Sequence, residues 1–235
     1  MKKMENQIRV LVWSEFTESN DVYPQGIHGE IAGYLNTDPN IIARTTELAD
    51  EDCGVGEKIL GDTDVLFWWG HEKHELVDDD AVERVVRKVR EEGMGFVSLH
   101  SSLTSKPFIA LMGTSCKIGS FRVDGEMERV HVVAPHHPIA DGVRDFVITE
   151  TEMYGEPFDV PNPKEVIFES VFQDNPLYST TTWRFCGCTW DVWDGRVFYF
   201  RPGHETYAIY RDENIQRILL NASYWAAKKI KYMMK

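Results

Sequence analysis

The sequence predicts an α/β fold with a mostly parallel sheet, helices on both faces, and additional antiparallel strands in the second half. Three observations predict it. Short apolar runs alternate with amphipathic stretches through the first half, the pattern of right-handed βαβ crossovers in a sheet buried on both sides. The second half changes to strand-like runs separated by short turns. Three of the apolar runs stop on a histidine, DVLFWWGH at His71, MGFVSLH at His100 and RVFYFRPGH at His204. Open α/β sheets bind ligands in the crevice outside the carboxyl ends of their strands.

Residues 8–13 (IRVLVW) are β-branched and read as a parallel strand. The opening MKKMENQIRVLVW has two early lysines, but Arg9 breaks its apolar stretch, which fits a first strand and not a signal peptide. A helix over 28–35 puts Ile31 and Leu35 on one face and stops near Asp38-Pro39. Segments 41–46 and 64–69 are the second and third strands. The clearest helix begins at Asp78-Asp79-Asp80, where carboxylates complement the positive helix end. It carries Val82, Val85, Val86 and Val89 at helical spacing and ends at Gly93. The run 95–99 is the fourth strand. Segments 129–133, 146–149, 166–172, 183–192 and 196–200 follow as strands, with Asp194-Gly195 as a hairpin signal. A closing helix aligns Ile215, Ile218, Leu219, Ala222 and Trp225, and Lys228, Lys229 and Lys231 gather at its negative end. With no repeat, linker or low-complexity tract, one domain is expected over residues 1–235.

Lysine and arginine number 25 against 38 acidic residues, a formal charge of −13 that would repel a phosphate backbone, so no nucleic-acid partner is expected. No apolar segment approaches the ~20 residues of a membrane span, so no membrane is expected and the chain should be soluble and cytoplasmic. Cys53, Cys116, Cys186 and Cys188 are too few and irregular for a disulfide scaffold and read as reduced thiols. Cys186-Gly187-Cys188 would face one way on a strand, as small buried residues more readily than as a metal half-site.

Candidate chemistry centres on the histidines. His71 and His74 lie three apart in GHEKH and could share a metal, although this is not the four-residue spacing of a zincin. His74 reads equally as a solvated loop residue. His28 opens a helix after the first strand, at the same sheet edge. His100 occupies a strand-to-loop corner where a nucleophile elbow would sit, but no GxSxG pattern is present. Ser101 or Ser102 could still be a nucleophile paired with His100 or His204, though adjacent serines after a strand are more often helix caps. His204 follows the Pro202-Gly203 turn, and Glu205 could fix its tautomer. If 146–154 is a strand, Glu150, Glu152 and Tyr154 share a face, and close carboxylates raise one another's pKa, which suits acid–base work. Solvated acids on an edge strand would give the same pattern. Trp69, Arg184, Arg201 and Tyr207 are the rings and guanidinium groups proposed to bind a sugar, which has an apolar face and a hydroxyl rim, although core packing is the more common role for most rings of this kind. The aromatic second half could equally furnish a contact in a homo-oligomer. His131, His136 and His137 look like bystanders in a turn.

The segments WWGHEKHELVDD, GFVSLHSS, SKPFIALMGTSC, HPIADG, EMYGE and RPGHETY resemble the trehalose-utilization ThuA-like family, which is class I glutamine amidotransferase-like. The resemblance spans nearly the whole chain. It implies a flavodoxin-like three-layer sandwich and a role in disaccharide or glycoside use alongside a sugar dehydrogenase. His71, His74, His100, Glu152, Tyr154, Arg201, His204 and Glu205 fall in its motif segments. The elbow cysteine of the amidotransferases is absent, with His100 near its position, so glutaminase chemistry is not expected. Residues and resemblance together suggest a divalent metal, zinc above others, held by two or three of His71, His100 and His204 with a carboxylate, and with His28 and His74 as further candidate ligands. Glu152, Tyr154, His100, His204 and Glu205 would then act on a sugar. The alternatives are a non-catalytic sugar-binding or regulatory protein on an amidotransferase-like scaffold and a serine-nucleophile hydrolase.

Overall fold

The computed structural model describes residues 7–17, 21–175 and 179–229. In chain order the elements are β1 (Ile8–Ser14), α1 (Gly26–Leu35), β2 (Ile41–Glu47), α2 (Glu57–Leu60), β3 (Val65–Trp69), α3 (Asp79–Glu92), β4 (Gly95–Leu99), α4 (Lys106–Met112), β5 (Ile118–Val132), β6 (Phe146–Phe158), β7 (Glu165–Asn175), β8 (Ser179–Val192), β9 (Gly195–Phe200) and α5 (Glu213–Ala226). All strands join one sheet in the order β2-β1-β3-β4-β9-β8-β7-β5-β6. The α/β class stands, but the mostly parallel expectation is corrected. Pairing is parallel from β2 across to β9 and antiparallel from β9 across to β6. The reason is the connections: crossovers carrying helices return the chain in parallel, whereas the tight β8–β9 turn can only reverse it.

β3 and β4 are buried at every position because helices cover both faces, which is why their sequences are continuously apolar. Trp13 and Trp68 sit opposite each other in the β1–β3 register and stack with ring centroids 3.8 Å apart. α5 lies directly on β4: a Cβ built on Gly95 would stand 2.6 Å from the Cβ of Ala226 and 2.9 Å from its carbonyl oxygen. α3 covers the other face, where Gly195 of β9 meets Val89. The expected ends of α3 hold, with Asp78 preceding it, Asp79 and Asp80 in its first turn and Gly93 in the left-handed region (φ 74°) after it. α5 begins under an Asp212 side chain that accepts the amide N–H groups of Asn214 and Ile215. Lys228 and Lys229 follow its end as expected, while Lys231 lies outside the described residues.

The predicted hairpin joins β8 to β9, with a different division of labour. The turn residue at positive φ is Trp193 (54°), and Gly195 is needed for close packing on α3. β5 starts well before the expected residue 129. Its first part, IGSFRVDGEME, contains Asp124-Gly125, which reads as a turn but lies in an irregular stretch of the β5–β6 ladder. Cys186 and Cys188 are buried and unpaired on β8, with Gly187 between them against the Phe168 ring, so the small-residue reading of this pair holds. Among the described residues no helix is long and apolar enough to cross a membrane.

Two glycine substitutions should separate packing from backbone freedom. Gly95→Ala is expected to cost about 1–3 kcal/mol, because neither Ala226 nor the β4 backbone can yield without moving α5. Gly33→Ala, inside α1 with nothing within 4 Å of the added methyl, should instead stabilise by roughly 0.5–1 kcal/mol. Urea unfolding of both variants measures the contrast.

Candidate active site

The site lies where β3, β4 and β9 end together. His71 follows β3, His100 follows β4 and His204 follows β9, and their rings form a near-equilateral group with centroids 6.1 Å (His71–His100), 5.4 Å (His71–His204) and 5.5 Å (His100–His204) apart. β6 reaches in from the antiparallel half to add Glu152 and Tyr154, 2 % and 3 % exposed. His100 sits at φ 53° on a strand-to-loop corner. A bulky residue held in the left-handed region costs roughly 1–2 kcal/mol, and such strain concentrates at functional positions. Gly203 (φ 150°) makes the neighbouring turn possible, since any side chain there would strike the Tyr210 hydroxyl and the His100 Cβ.

Hydrogen-bond partners assign the imidazole protons. His100 Nδ1 lies 2.9 Å from the Arg201 carbonyl, which can only accept, so Nδ1 carries hydrogen and Nε2 faces the site. Nε2 is 2.9 Å from Glu152 Oε2 and 3.3 Å from the Tyr154 hydroxyl. Ser101 donates its one hydroxyl proton to the Gly70 carbonyl at 2.9 Å, so His71 Nδ1, 2.8 Å from Ser101 Oγ, is the donor in that contact. His71 Nε2 then faces Glu205 Oε1 at 3.5 Å. His204 is held the other way round: its Nδ1 accepts the Thr206 amide N–H at 3.2 Å. The result is two overlapping sets of donor atoms that share His204: a buried one of His100, Glu152 and His204, and a half-buried one of His71, His204 and Glu205.

Burial pushes the Glu152 carboxyl up, but the adjacent His100, with His204 and the Tyr154 hydroxyl, outweighs it and holds the group below its ordinary range. Burial and then the Glu152 charge push the Tyr154 phenol well up, so it stays protonated. Burial and then the neighbouring His100 lower His204. His74, in a short 3-10 turn after His71, is lowered chiefly by burial, although Glu15 pulls it the other way.

Several expected participants stand elsewhere. Trp69 is fully buried beneath the site and donates its indole N–H to the Gly203 carbonyl at 3.1 Å, so it supports the His204 turn and cannot meet a sugar. Arg201 is fully buried and committed to Glu128 and to the Glu152 carbonyl. Arg184 is exposed on β8 beside Glu169. Of the four residues proposed to bind a sugar, Tyr207 alone is a half-buried ring beside the histidines, its centroid 5.6 Å from that of His204, whereas Trp69 touches His71 at 6.2 Å between centroids and Arg201 touches His100 through its carbonyl, both from buried positions. His28 lies apart from the cluster, with Nε2 3.2 Å from Glu47. Glu150 is exposed, so the carboxylate pair expected on one face of β6 does not form. Ser102 is buried and caps the Leu99 carbonyl at 2.6 Å.

Two residues escaped the sequence reading. Glu15, the residue after β1, is buried and accepts the amide N–H groups of His71, Glu72 and Lys73, fixing the turn that aims His71. It ends an apolar strand as the histidines do, so the same rule could have found it. Glu128 lies mid-strand in β5 and forms a fully buried ion pair with Arg201. Burial pulls the guanidinium down to about 9, which still leaves it charged at neutral pH.

The family model described as trehalose utilisation (ThuA) matches residues 9–226. No curated protein matches the chain. Among solved structures, a ThuA-like protein from Bacteroides uniformis is similar at TM-score 0.64 and 18% identity, covering 96% of this chain and 93% of that one. A cytoplasmic protein from Salmonella typhimurium gives TM-score 0.64 at 11% identity, with 93% and 99% covered. A glutamine amidotransferase from Thermotoga maritima gives TM-score 0.55 at 8% identity, with 95% and 99% covered. At these identities the likeness is one of fold.

Arg201→Met, which strands the Glu128 carboxylate in the core, should cost about 3–5 kcal/mol in denaturant unfolding. His74 predicts a pH effect. Its folded pKa lies below the ordinary 6.5, so its contribution is complete above that pH and is lost as pH falls below it toward the folded value. His74→Gln should therefore lose less stability than the parent chain on acidification below about pH 6.5. Melting temperatures across this range measure it.

Proposed function

The chain belongs to the trehalose-utilisation (ThuA) family, and from that premise we propose that it is a metal-assisted enzyme acting on a disaccharide or an oxidised sugar. The observation that supports this best is the convergence of His100, Glu152 and His204, whose potential ligand atoms all lie within 4.8 Å of one another, with His100 tied to a carbonyl through its other nitrogen. Metal-bound histidines are tied in this way, and a buried carboxylate beside two imidazoles is a ready cation ligand. His100, Glu152 and His204 would hold the ion, and two imidazoles with a carboxylate suit zinc. When bound, it supplies Lewis-acid polarisation of a sugar carbonyl or hydroxyl oxygen.

The protein's own groups do the rest. Arg201 and Ser101 hold His100 and His71 in the tautomers that turn Nε2 inward. Tyr154, kept protonated, donates a hydrogen bond beside His100. His71 and Glu205, the half-buried pair, are placed to take or return a proton at the open side. The Tyr207 ring beside His204 offers a face to a sugar. Two carboxylates border the site and the guanidinium below it is committed to Glu128, a balance suited to an uncharged sugar. We place the activity in the cytoplasm, where the four unpaired thiols would stay reduced.

Protein purified without a histidine tag should carry a divalent ion in elemental analysis. His100→Ala and Glu152→Gln should each weaken it by at least about tenfold and abolish turnover of the sugar. Metal-free protein whose sugar turnover ignores both a chelator and His100→Ala would overturn the proposal.

A further inference from the structure

A second concavity lies at the other end of β9. Arg196 stands near the start of this strand and Arg201 just past its end, a separation of roughly 15 Å, so the cavity is distinct from the histidine cluster. It encloses about 540 Å³ between the end of α5 and the His136-His137-Pro138 turn. That is the size of a small-molecule site.

Its charge runs against the rest of the chain. In a protein of net charge −13, this cavity is lined by Arg196, Lys228 and Lys229, with Asp141 its one carboxylate. The first two are held without being neutralised by the contacts described. Arg196 donates to the Trp225 carbonyl at 2.8 Å and lies 5.2 Å over the Trp225 ring, and Lys228 donates to the Asp194 carbonyl. Lys229 is nearer compensation, with Asp64 at 3.8 Å. Carbonyl oxygens and a ring face orient a cation and leave its charge available. Lys228 also sits at φ 57°, just after α5, where glycine is the usual residue. A lysine there bears a backbone cost that a glycine would not. His137 packs on Trp225 at 5.5 Å and gives the wall a flat, largely apolar surface.

We propose that this cavity binds a small organic phosphate ester, its phosphoryl group on Arg196 and Lys228 and its carbon skeleton against His137 and Pro138. The guanidinium fork and the ammonium supply charge-assisted donors to phosphoryl oxygens. The competing account is that the lysines only offset the negative end of α5.

Calorimetric titration of the full chain in a phosphate-free, low-salt buffer separates the two. Inorganic phosphate should bind with one site per chain, and glucose 6-phosphate more tightly than phosphate. Lys228→Gly should weaken both by about tenfold while the melting temperature stays level or rises, because glycine relieves the positive φ. Arg196→Met should weaken both likewise, and His100→Ala should leave both unchanged. Absence of saturable binding by either probe, or binding indifferent to Lys228→Gly and Arg196→Met, would overturn the proposal. So would glucose binding as tightly as glucose 6-phosphate.

Discussion

The ion pair between Arg201 and Glu128 is the constraint on which the rest of the structure depends. Arg201 follows β9, the strand where the parallel and antiparallel halves meet, and Glu128 belongs to β5 on the far side of β8 and β7. The same arginine uses its amide on the Cys186 carbonyl, its carbonyl on His100 and its guanidinium on the Glu152 carbonyl. One residue therefore sets the tautomer of a site histidine and fixes the strand that carries the site carboxylate. Two opposite charges in a fully buried position are stable only while both are present and hydrogen-bonded. The coupling is accordingly strict: the halves must be docked for the imidazoles and the carboxylate to be brought together.

A parallel sheet alone would deliver His71, His100 and His204 to one edge. What shapes that edge into the candidate site is the supporting layer. Glu15 fixes the His71 turn through three amides, Ser101 and the Arg201 carbonyl choose tautomers, and Trp69 props the His204 turn from below. The proposed zinc ligands and proton carriers thus rest on groups that never face the crevice.

Much of this was legible in the sequence because it follows from local rules. Apolar runs ending at residues 69 and 99 give β3 and β4, charge and glycine give the ends of α3, and strand ends give the three histidines. What was not legible is long-range. Arg201 and Trp69 look like ligand-binding groups from composition, but they are buried against Glu128 and Gly203, partners far along the chain. The period-two pattern grouped Glu150 with Glu152, whereas β5 pairs with β6 through register shifts, and only Glu152 is enclosed. Trp193 adopts the turn conformation that the Asp194-Gly195 signal led one to expect of a glycine, because Gly195 is already required against α3.

The backbone at His100 carries a wider meaning. Its positive φ belongs to the turn from β4, and Gly203 leaves the space its Cβ needs, since any side chain there would meet it, so the corner is defined by the main chain and not by the imidazole. The fold thus provides a socket, a point where one side chain is lifted clear of the sheet edge whatever its chemistry. A thiol there could attack a carbonyl and form a covalent bond, whereas an imidazole can coordinate or move protons. Related scaffolds could in this way differ in reaction class by a single occupant of one strained position, with the surrounding architecture left in place.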